Sequence, residues 1–408
     1  MSIPTPAKAA TSKPDPLTPG LIVVLAMLSA FTPLSIDMYL PAFPSIRAEF
    51  SASASQVQLS LSAFMLAFGF GQIVYGPLGD HFGRKPVLLT GIVLYLAATL
   101  ACALAANPTQ LIVLRIVQGL AAAAAPVMAR TMIRDLAERD RAAQVMSILM
   151  ACVSIAPMTP PLIGSQVMAF FGWRAIFFAL AAFGVVAFLA AALRLPETLK
   201  PEMRGPLAFG GIVGRFAELL STRLFMGYAL TTGFLFGAMF SFVSVSSLVL
   251  IEIYGLTPTQ FGAVFASTVV AMTIGSIVNS RFTRRVGAPV MLRRAVRAPA
   301  IVGLLLIVCG IVEHLTGALG WVPFALASMG LITSMSFIAS NATACALQAY
   351  PHMAGAAASL LGVVQFGCGS LFGATVGLML SGSALPMALM MGAGGILSYL
   401  AHRVMVRG

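Results

Sequence analysis

The chain alternates long apolar runs with short polar ones. The runs lie near 20–42, 57–77, 87–106, 110–131, 143–169 and 174–194, and again near 224–251, 260–280, 295–314, 320–345, 355–380 and 385–402. A helix needs about 20 apolar residues to cross the hydrocarbon core of a bilayer. Each run therefore predicts a spanning helix, and the set predicts an all-α membrane protein with twelve transmembrane helices. Gly, Ser and Pro dilute the later runs, but small residues are common in membrane helices because they let neighbouring backbones approach. Six runs fall on each side of the polar stretch 195–222. That division predicts a cytoplasmic tail (1–19), an N-terminal six-helix bundle (20–194), a linker (195–222), a C-terminal six-helix bundle (223–402) and a short tail (403–408). A short amphipathic helix is expected in the linker near 209–220. The opening "MSIPTPAKAATSKPDPLTPG" is rich in Pro, Ser and Thr and reads as a disordered tail. It lacks a cleavage pattern, so the first span is expected to be retained.

Composition agrees with this pattern. Hydrophobic residues make up 59% of the chain and charged ones 9%, with mean hydropathy +0.97, whereas soluble domains carry about 25% charged residues. A water-facing shell cannot be built from so few charges. The net charge of +12 is confined to the segments between spans. With the N-terminus in the cytoplasm, Arg47 and Arg174 lie outside and Arg115 within a span, and all other Lys and Arg fall in cytoplasmic segments such as "RTMIRDLAERDR" and "RFTRRVGAPVMLRRAVR". The positive-inside rule then places both termini in the cytoplasm of a bacterial inner membrane. Such charge points to contact with anionic lipids rather than to nucleic acid. Cys102, Cys152, Cys309, Cys345 and Cys368 all fall in predicted spans without metal-ligand spacing, so no disulfide, metal or cofactor is expected. The chain is expected to work as a monomer.

The two halves share a loop. "GPLGDHFGRKPVLL" (76–89) follows the second span, and "GSIVNSRFTRRVGAPVML" (275–292) occupies the equivalent place six spans later, with Asn279 where the first copy has Asp80. Repeated halves around a central cavity are a transporter design.

Motifs narrow the reading. The run from Gly76 to Lys85, with Gly76, Gly79, Asp80, Gly83, Arg84 and Lys85, resembles the loop 2–3 signature of the major facilitator superfamily. In the fourth span, "LIVLRIVQGLAAAAAP" carries Leu111, Arg115, Gln118 and Gly119 and is similar to that family's span-four motif. In the fifth, "APMTPPLIGS" resembles the antiporter motif through Pro157, Pro161 and Gly164, while Ala156, Pro160 and Ser165 stand where that motif has glycines. "DMYLPAFP" and "IEIYGLTPTQFGAVFA" resemble the Bcr/CflA group of drug:proton antiporters. Physically, Gly76 and Gly79 would permit close helix approach, Gly83 a tight turn, and Asp80 could face the positive end of a helix. The resemblance implies that this helix is span eleven, so that the loop gates the two halves. The fifth-span pattern implies a bent helix with a smooth packing face.

Asp37, in "LSIDMYLPAFP", is a carboxylate inside an apolar span. It lies about five residues before the outer end of span one, and Arg115 about five residues after the outer start of span four. Both are thus roughly 8 Å deep, and a carboxylate–guanidinium contact, direct or through water, becomes feasible. Pro33 would open a kink nearby. A carboxylate deprived of water is costly while charged, and a nearby guanidinium offsets that cost. A conformational change could then set whether Asp37 holds a proton, which makes Asp37 and Arg115 the candidate proton-coupling pair. A purely structural bond between two helices is the competing reading. Glu252 and Glu313 lie at outer ends, so no other acid sits deep. His81, His314, His352 and His402 lie near helix ends and receive no role. Candidate cavity residues are Tyr39, Gln58, Met65 and Gln118 from the first half and Phe240, Asn341 and Gln365 from the second. Met and Phe beside sparse amides would suit varied apolar compounds.

The function expected is proton-driven efflux of small, largely apolar compounds, such as drugs, by alternating access. A proton-coupled uptake symporter on the same fold is the alternative. A channel is disfavoured by the lack of filter or charged-ring sequences, and an enzyme by the lack of HExxH, Walker or triad patterns. The topology is directly testable. A reporter active only in the cytoplasm should give signal when fused after residue 408 and within 281–297. Signal from a periplasmic reporter at either place would reverse the orientation.

Overall fold

The computed structural model describes residues 17–137, 159–205, 209–379 and 382–406, with scattered positions between 141 and 149. These residues form helices and turns. Eleven of the described helical segments are long and apolar enough to cross a membrane. The expected fifth span, 143–169, lies partly outside the described residues. Its final part is a helix from Pro160 to Phe171.

Prolines break the first span. It runs as α1 (Pro19–Ser29), α2 (Phe31–Asp37), a single 3₁₀ turn at Leu40–Ala42, and α3 (Phe43–Glu49). Pro33, Pro41 and Pro44 each remove a backbone donor, so no continuous ladder can form. Asp37 is the last residue of α2. Then come α4 (Ala54–Phe82), α5 (Arg84–Ala103), α6 (Pro108–Ala122) and α7 (Ala124–Leu136), followed by α8 (Pro160–Phe171) and α9 (Arg174–Arg194). The linker carries α10 (Phe209–Ser221), close to the expected helix. The second half contributes α11 (Arg223–Ser247), α12 (Pro258–Val286), α13 (Ala288–Ala295), α14 (Arg297–Thr316), α15 (Trp321–Ala349), α16 (Ala354–Met379) and α17 (Leu385–Ala401).

The similarity between halves extends beyond the loop. Helices α4 and α12 are each 29 residues long. Each starts with a capping box: Ser53 and Thr257 accept from Gln56 and Gln260 backbone N–H at 3.2 Å, and those glutamines accept back from the Ser53 and Thr257 N–H at 2.9 Å. Each ends at a glycine in the left-handed region, Gly83 (φ 102°) and Gly287 (φ 83°). The next helix follows directly.

Large apolar side chains such as Leu193 (83% exposed), Phe171 (77%) and Leu315 (76%) cover the outer surface. Water would not tolerate so much of this area, but lipid would. Between the halves, α4 lies along α16. Ser370 donates to the Ser62 carbonyl at 2.8 Å, and the Phe68 and Phe366 rings meet edge to face at 4.7 Å. At the end of the molecule that carries the turn between α3 and α4, Arg47 pairs with Glu252 at 3.1 Å, while Arg174 pairs with Glu49 and lies 4.3 Å from the Trp173 ring. The two basic residues assigned to the outside each have an acidic partner.

Nothing lies closer than Pro289, at 3.9 Å, to where a Cβ would stand on Gly287. Gly287→Ala should therefore reveal the backbone penalty alone, a loss of about 1–2 kcal/mol read as a lower melting midpoint in detergent. An unchanged midpoint would show that this turn relaxes freely.

Candidate functional site

A cavity of about 460 Å³ lies between the halves. Its walls are apolar, with Phe236, Phe240, Phe265 and Phe366 among them, and its polar groups come from few positions. Asp37 lies at the end of α2, Gln72 on α4, Arg130 on α7 and Gln365 on α16. Asp37 is 7% exposed and is the sole acid lining the cavity among the described residues. No ion pair or hydrogen bond joins its carboxylate to any of them.

Arg115 is elsewhere. It is fully buried inside the first-half bundle, where Nη1 donates to Gln118 Oε1 at 2.7 Å and Nη2 to the Ser35 carbonyl at 3.2 Å. Its guanidinium lies 4.5 Å from the Tyr39 ring centroid and 4.2 Å from that of Phe64, so π-faces share in holding the charge. The expected Asp37–Arg115 contact is absent. Equal depth does not fix azimuth, and Arg115 points to the backbone of α2 rather than to the cavity side that carries Asp37. Around it runs a polar chain. Gln118 Nε2 donates to Thr99 at 2.8 Å, Thr99 to the Tyr95 carbonyl at 2.6 Å, the Tyr95 and Ser35 hydroxyls share a bond of 2.7 Å, and those of Tyr39 and Ser60 one of 2.8 Å. Four helices are tied together this way. Gly119 makes it feasible, because any Cβ there would collide with the Phe64 backbone.

Residues 25–374 match the Major Facilitator Superfamily profile. The chain belongs to the major facilitator superfamily. It is 37% identical over 381 residues to the bicyclomycin resistance protein homolog of Haemophilus influenzae, covering 93% of this chain and 94% of that one. It is 31% identical over 340 residues to the chloramphenicol resistance protein of Pseudomonas aeruginosa, covering 82% and 78%. The crystal structure of a D-xylose–proton symporter shares the fold, with TM-score 0.74 and 14% identity over 95% of this chain and 97% of that one. The resemblance to Bcr/CflA-type drug transporters thus stands on relatives as well as motifs. The protein is a multi-pass membrane transporter of small molecules, not an enzyme.

The superfamily signatures can now be placed. In loop 2–3, Asp80 does not face the start of α16. It is largely exposed and pairs with Arg84 at 2.6 Å, while Arg84 Nε reaches Asp135 at 3.1 Å. The acid at a helix start is Glu197, whose oxygens accept the backbone N–H of Arg84 at 3.0 Å and of Lys85 at 3.2 Å. Glu197 follows the sixth span, and it meets the exposed positive end of α5. Lys85 Nζ donates to the Ala192 carbonyl at 2.8 Å. The loop therefore fastens first-half helices to one another and to the start of the linker. Gly79 sits against Met128 and Gly83 makes the turn, but nothing lies within 4 Å of a Cβ on Gly76, so close approach is not its role. In the fifth span, Pro157 lies outside the described residues and Pro161 is buried near the start of α8. Gly164 packs so tightly on the backbone of Met38, next to Asp37, that a Cβ would strike its carbonyl.

Of the proposed cavity residues, Phe240 and Gln365 line the cavity. The other five do not. Tyr39 and Gln118 belong to the Arg115 cluster, Gln58 packs against Gly373 and Gly377, Met65 against Gly369, and Asn341 donates to Asn279 at 2.8 Å. A polar or soft side chain in a span serves helix packing as readily as a ligand, and nothing in spacing tells the two apart. Gln72 and Arg130 were missed. Arg130 was counted among the cytoplasmic charges, yet α7 continues to Leu136 and carries it beside the cavity. The span boundary at 131 was the available signal.

Arg115 depends on Gln118, whereas Asp37 leans on no described side chain. Gln118→Leu should thus cost about 2–3 kcal/mol by stranding a buried charge and lower the melting midpoint clearly, while Asp37→Asn should leave it level or higher. A drop for Asp37→Asn equal to that for Gln118→Leu would restore the Asp37–Arg115 pair.

Proposed function

We propose that this protein expels small, largely apolar compounds across the bacterial cytoplasmic membrane in exchange for protons, with both termini cytoplasmic. The observation that carries the reading is Asp37: a lone carboxylate, without a described partner, on the wall of an apolar cavity between the halves. An ionised carboxylate there lacks compensation. Two events relieve it, uptake of a proton or arrival of a hydrogen-bond donor on the substrate. Both use the same oxygens, so they alternate, and alternation is what exchange requires. The resistance named in the two relatives supports a drug-like cargo.

The halves 20–194 and 223–402 act as the moving bodies, joined by the linker 195–222. Arg47–Glu252 and Ser62–Ser370 hold them together toward the outer side, and release of these contacts would accompany opening outward. Arg115 is a positioning residue. It grips the carbonyl of Ser35, two residues before Asp37, and so sets the end of α2. Gly164 of the antiporter-like helix presses on the next residue, Met38, which links movement of α8 to the carboxylate. The transporter works as a monomer in anionic lipid.

Asp37→Asn tests this reading. The amide keeps the shape but cannot exchange a proton, so pH-driven accumulation in inverted vesicles should fall to background while substrate exchange without a gradient persists. If the Asn variant still accumulates substrate when driven by pH, the proton is carried elsewhere. If wild-type flux runs inward with protons, the protein is a symporter.

A further inference from the structure

Where α4 runs along α16, the halves meet through a side chain that fits in shape but not in polarity. Gln58, in the second turn of α4, lies against Gly373 and Gly377, one turn apart on α16. Its Cγ is 2.6 Å from where a Cβ on Gly377 would stand, and its Nε2 is 3.0 Å from that point on Gly373. A Cβ on Gly377 would strike its stem, and one on Gly373 would press on its amide. The residue is 1% exposed, yet neither Oε1 nor Nε2 has a hydrogen-bond partner among the described residues. An amide offers two donors and two acceptor sites, so all of this capacity is unmet. Ser62, one turn further along α4, repeats the pattern. It is 2% exposed, and its Oγ, 3.3 Å from the Gly373 Cβ position, is also unpartnered among the described residues. The bond that Ser370 makes across the seam goes to the Ser62 carbonyl and leaves this hydroxyl aside.

Packing and polarity oppose each other here. Close contact between α4 and α16 favours a shut seam, because dispersion grows with fit. A buried amide or hydroxyl without a partner disfavours it, at a cost comparable to a lost hydrogen bond. If the halves part at this end, water reaches both groups and the cost disappears. We infer that Gln58 and Ser62 form a polar wedge that keeps the seam between the halves close to balance, shut by packing and reopened by hydration. Two states are both populated only when their free energies nearly match. The wedge supplies that match without a charge, whereas the Arg47–Glu252 pair at the same end adds to closure. An apolar side chain in place of Gln58 would keep the packing and lose the opposing cost. The inference rests on the alternating access of the reading above and is independent of its proton and its cargo.

Spin labels on Ala106→Cys and Ala318→Cys read the seam. Both positions are exposed in turns at this end, after α5 in the first half and after α14 in the second. The native cysteines are replaced by alanine, and the full chain is placed in lipid nanodiscs without substrate or gradient. Double electron–electron resonance then gives the distribution of distances between the labels. Wild type should show a short and a long distance, the seam shut and the seam open. Gln58→Met keeps the length and removes the amide, so the open-to-shut ratio should fall about fivefold or more. Ser62→Ala should shift it the same way by a smaller factor, and it decides the matter if Gln58→Met does not fold. A Gln58 that served packing alone would change the melting midpoint on substitution and leave the ratio as in wild type. Because neither substrate nor a gradient enters, failure here is distinct from failure of exchange, which the vesicle flux reads. Wild type confined to one distance, or folded Gln58→Met and Ser62→Ala variants with an unchanged or raised open fraction, would overturn the proposal.

Discussion

A guanidinium buried without a carboxylate is the constraint on which the rest of the first half depends. Arg115 is fully enclosed, and taking such a charge out of water costs several kcal/mol even after relaxation. The cost is offset by one backbone carbonyl, one amide oxygen and two aromatic faces drawn from the first span, α4 and α6. Each of these groups must therefore stay in place. The carbonyl belongs to Ser35, so the register and tilt of α2 follow from Arg115. Asp37, two residues on, lies at the end of that positioned helix. Because the charge is compensated without it, its carboxylate is left for the cavity.

Close backbone contact makes this arrangement possible in a solvent that gives no hydrophobic drive between helices. Gly119 against Phe64 brings α6 to α4 and lays the Phe64 ring over Arg115. Gly164 against Met38 brings α8 to the segment bearing Asp37. Across the interface, Gly362, Gly369 and Gly373 let α16 lie on Gln72, Met65 and Gln58. The second half repeats the geometry of α4 in α12 but replaces Asp80 with Asn279. Asn279 bonds to Ser340 at 3.0 Å and to Asn341 at 2.8 Å. The repeated helix thus carries a neutral amide network in the second half where the first half has ion pairs.

The fold was legible in the chain because a bilayer demands apolar runs of fixed length, and those runs are hard to hide. Helix ends were less so. The second apolar run covers 57–77 while α4 spans Ala54–Phe82, since a capping box and a left-handed glycine, not hydropathy, set its limits. Asp37 could be read as a cavity residue because a carboxylate in a span needs a reason. Its relation to Arg115 could not. Depth follows from residue counting, but the direction of a side chain around a broken helix depends on the prolines and on what the neighbours offer. The same limit explains why Gln58, Met65, Gln118 and Asn341 turned out to be packing groups, and why Arg130, read as a topological charge, lines the cavity. Of the three residues that match the antiporter motif, Pro161 and Gly164 lie on α8 and Pro157 lies outside the described residues.

The central claim is that the Asp37 carboxyl is free to gain and lose a proton because Arg115 is held by Gln118, Ser35 and two aromatic faces instead of by it. Infrared difference spectroscopy of the full chain in lipid nanodiscs, stepped in pH, tests this directly. The account predicts a protonated-carboxyl band that appears and disappears with pH in wild type and is missing in Asp37→Asn. A carboxylate held by Arg115 would stay ionised wherever the protein is folded. Identical spectra for wild type and the Asn variant would contradict the claim.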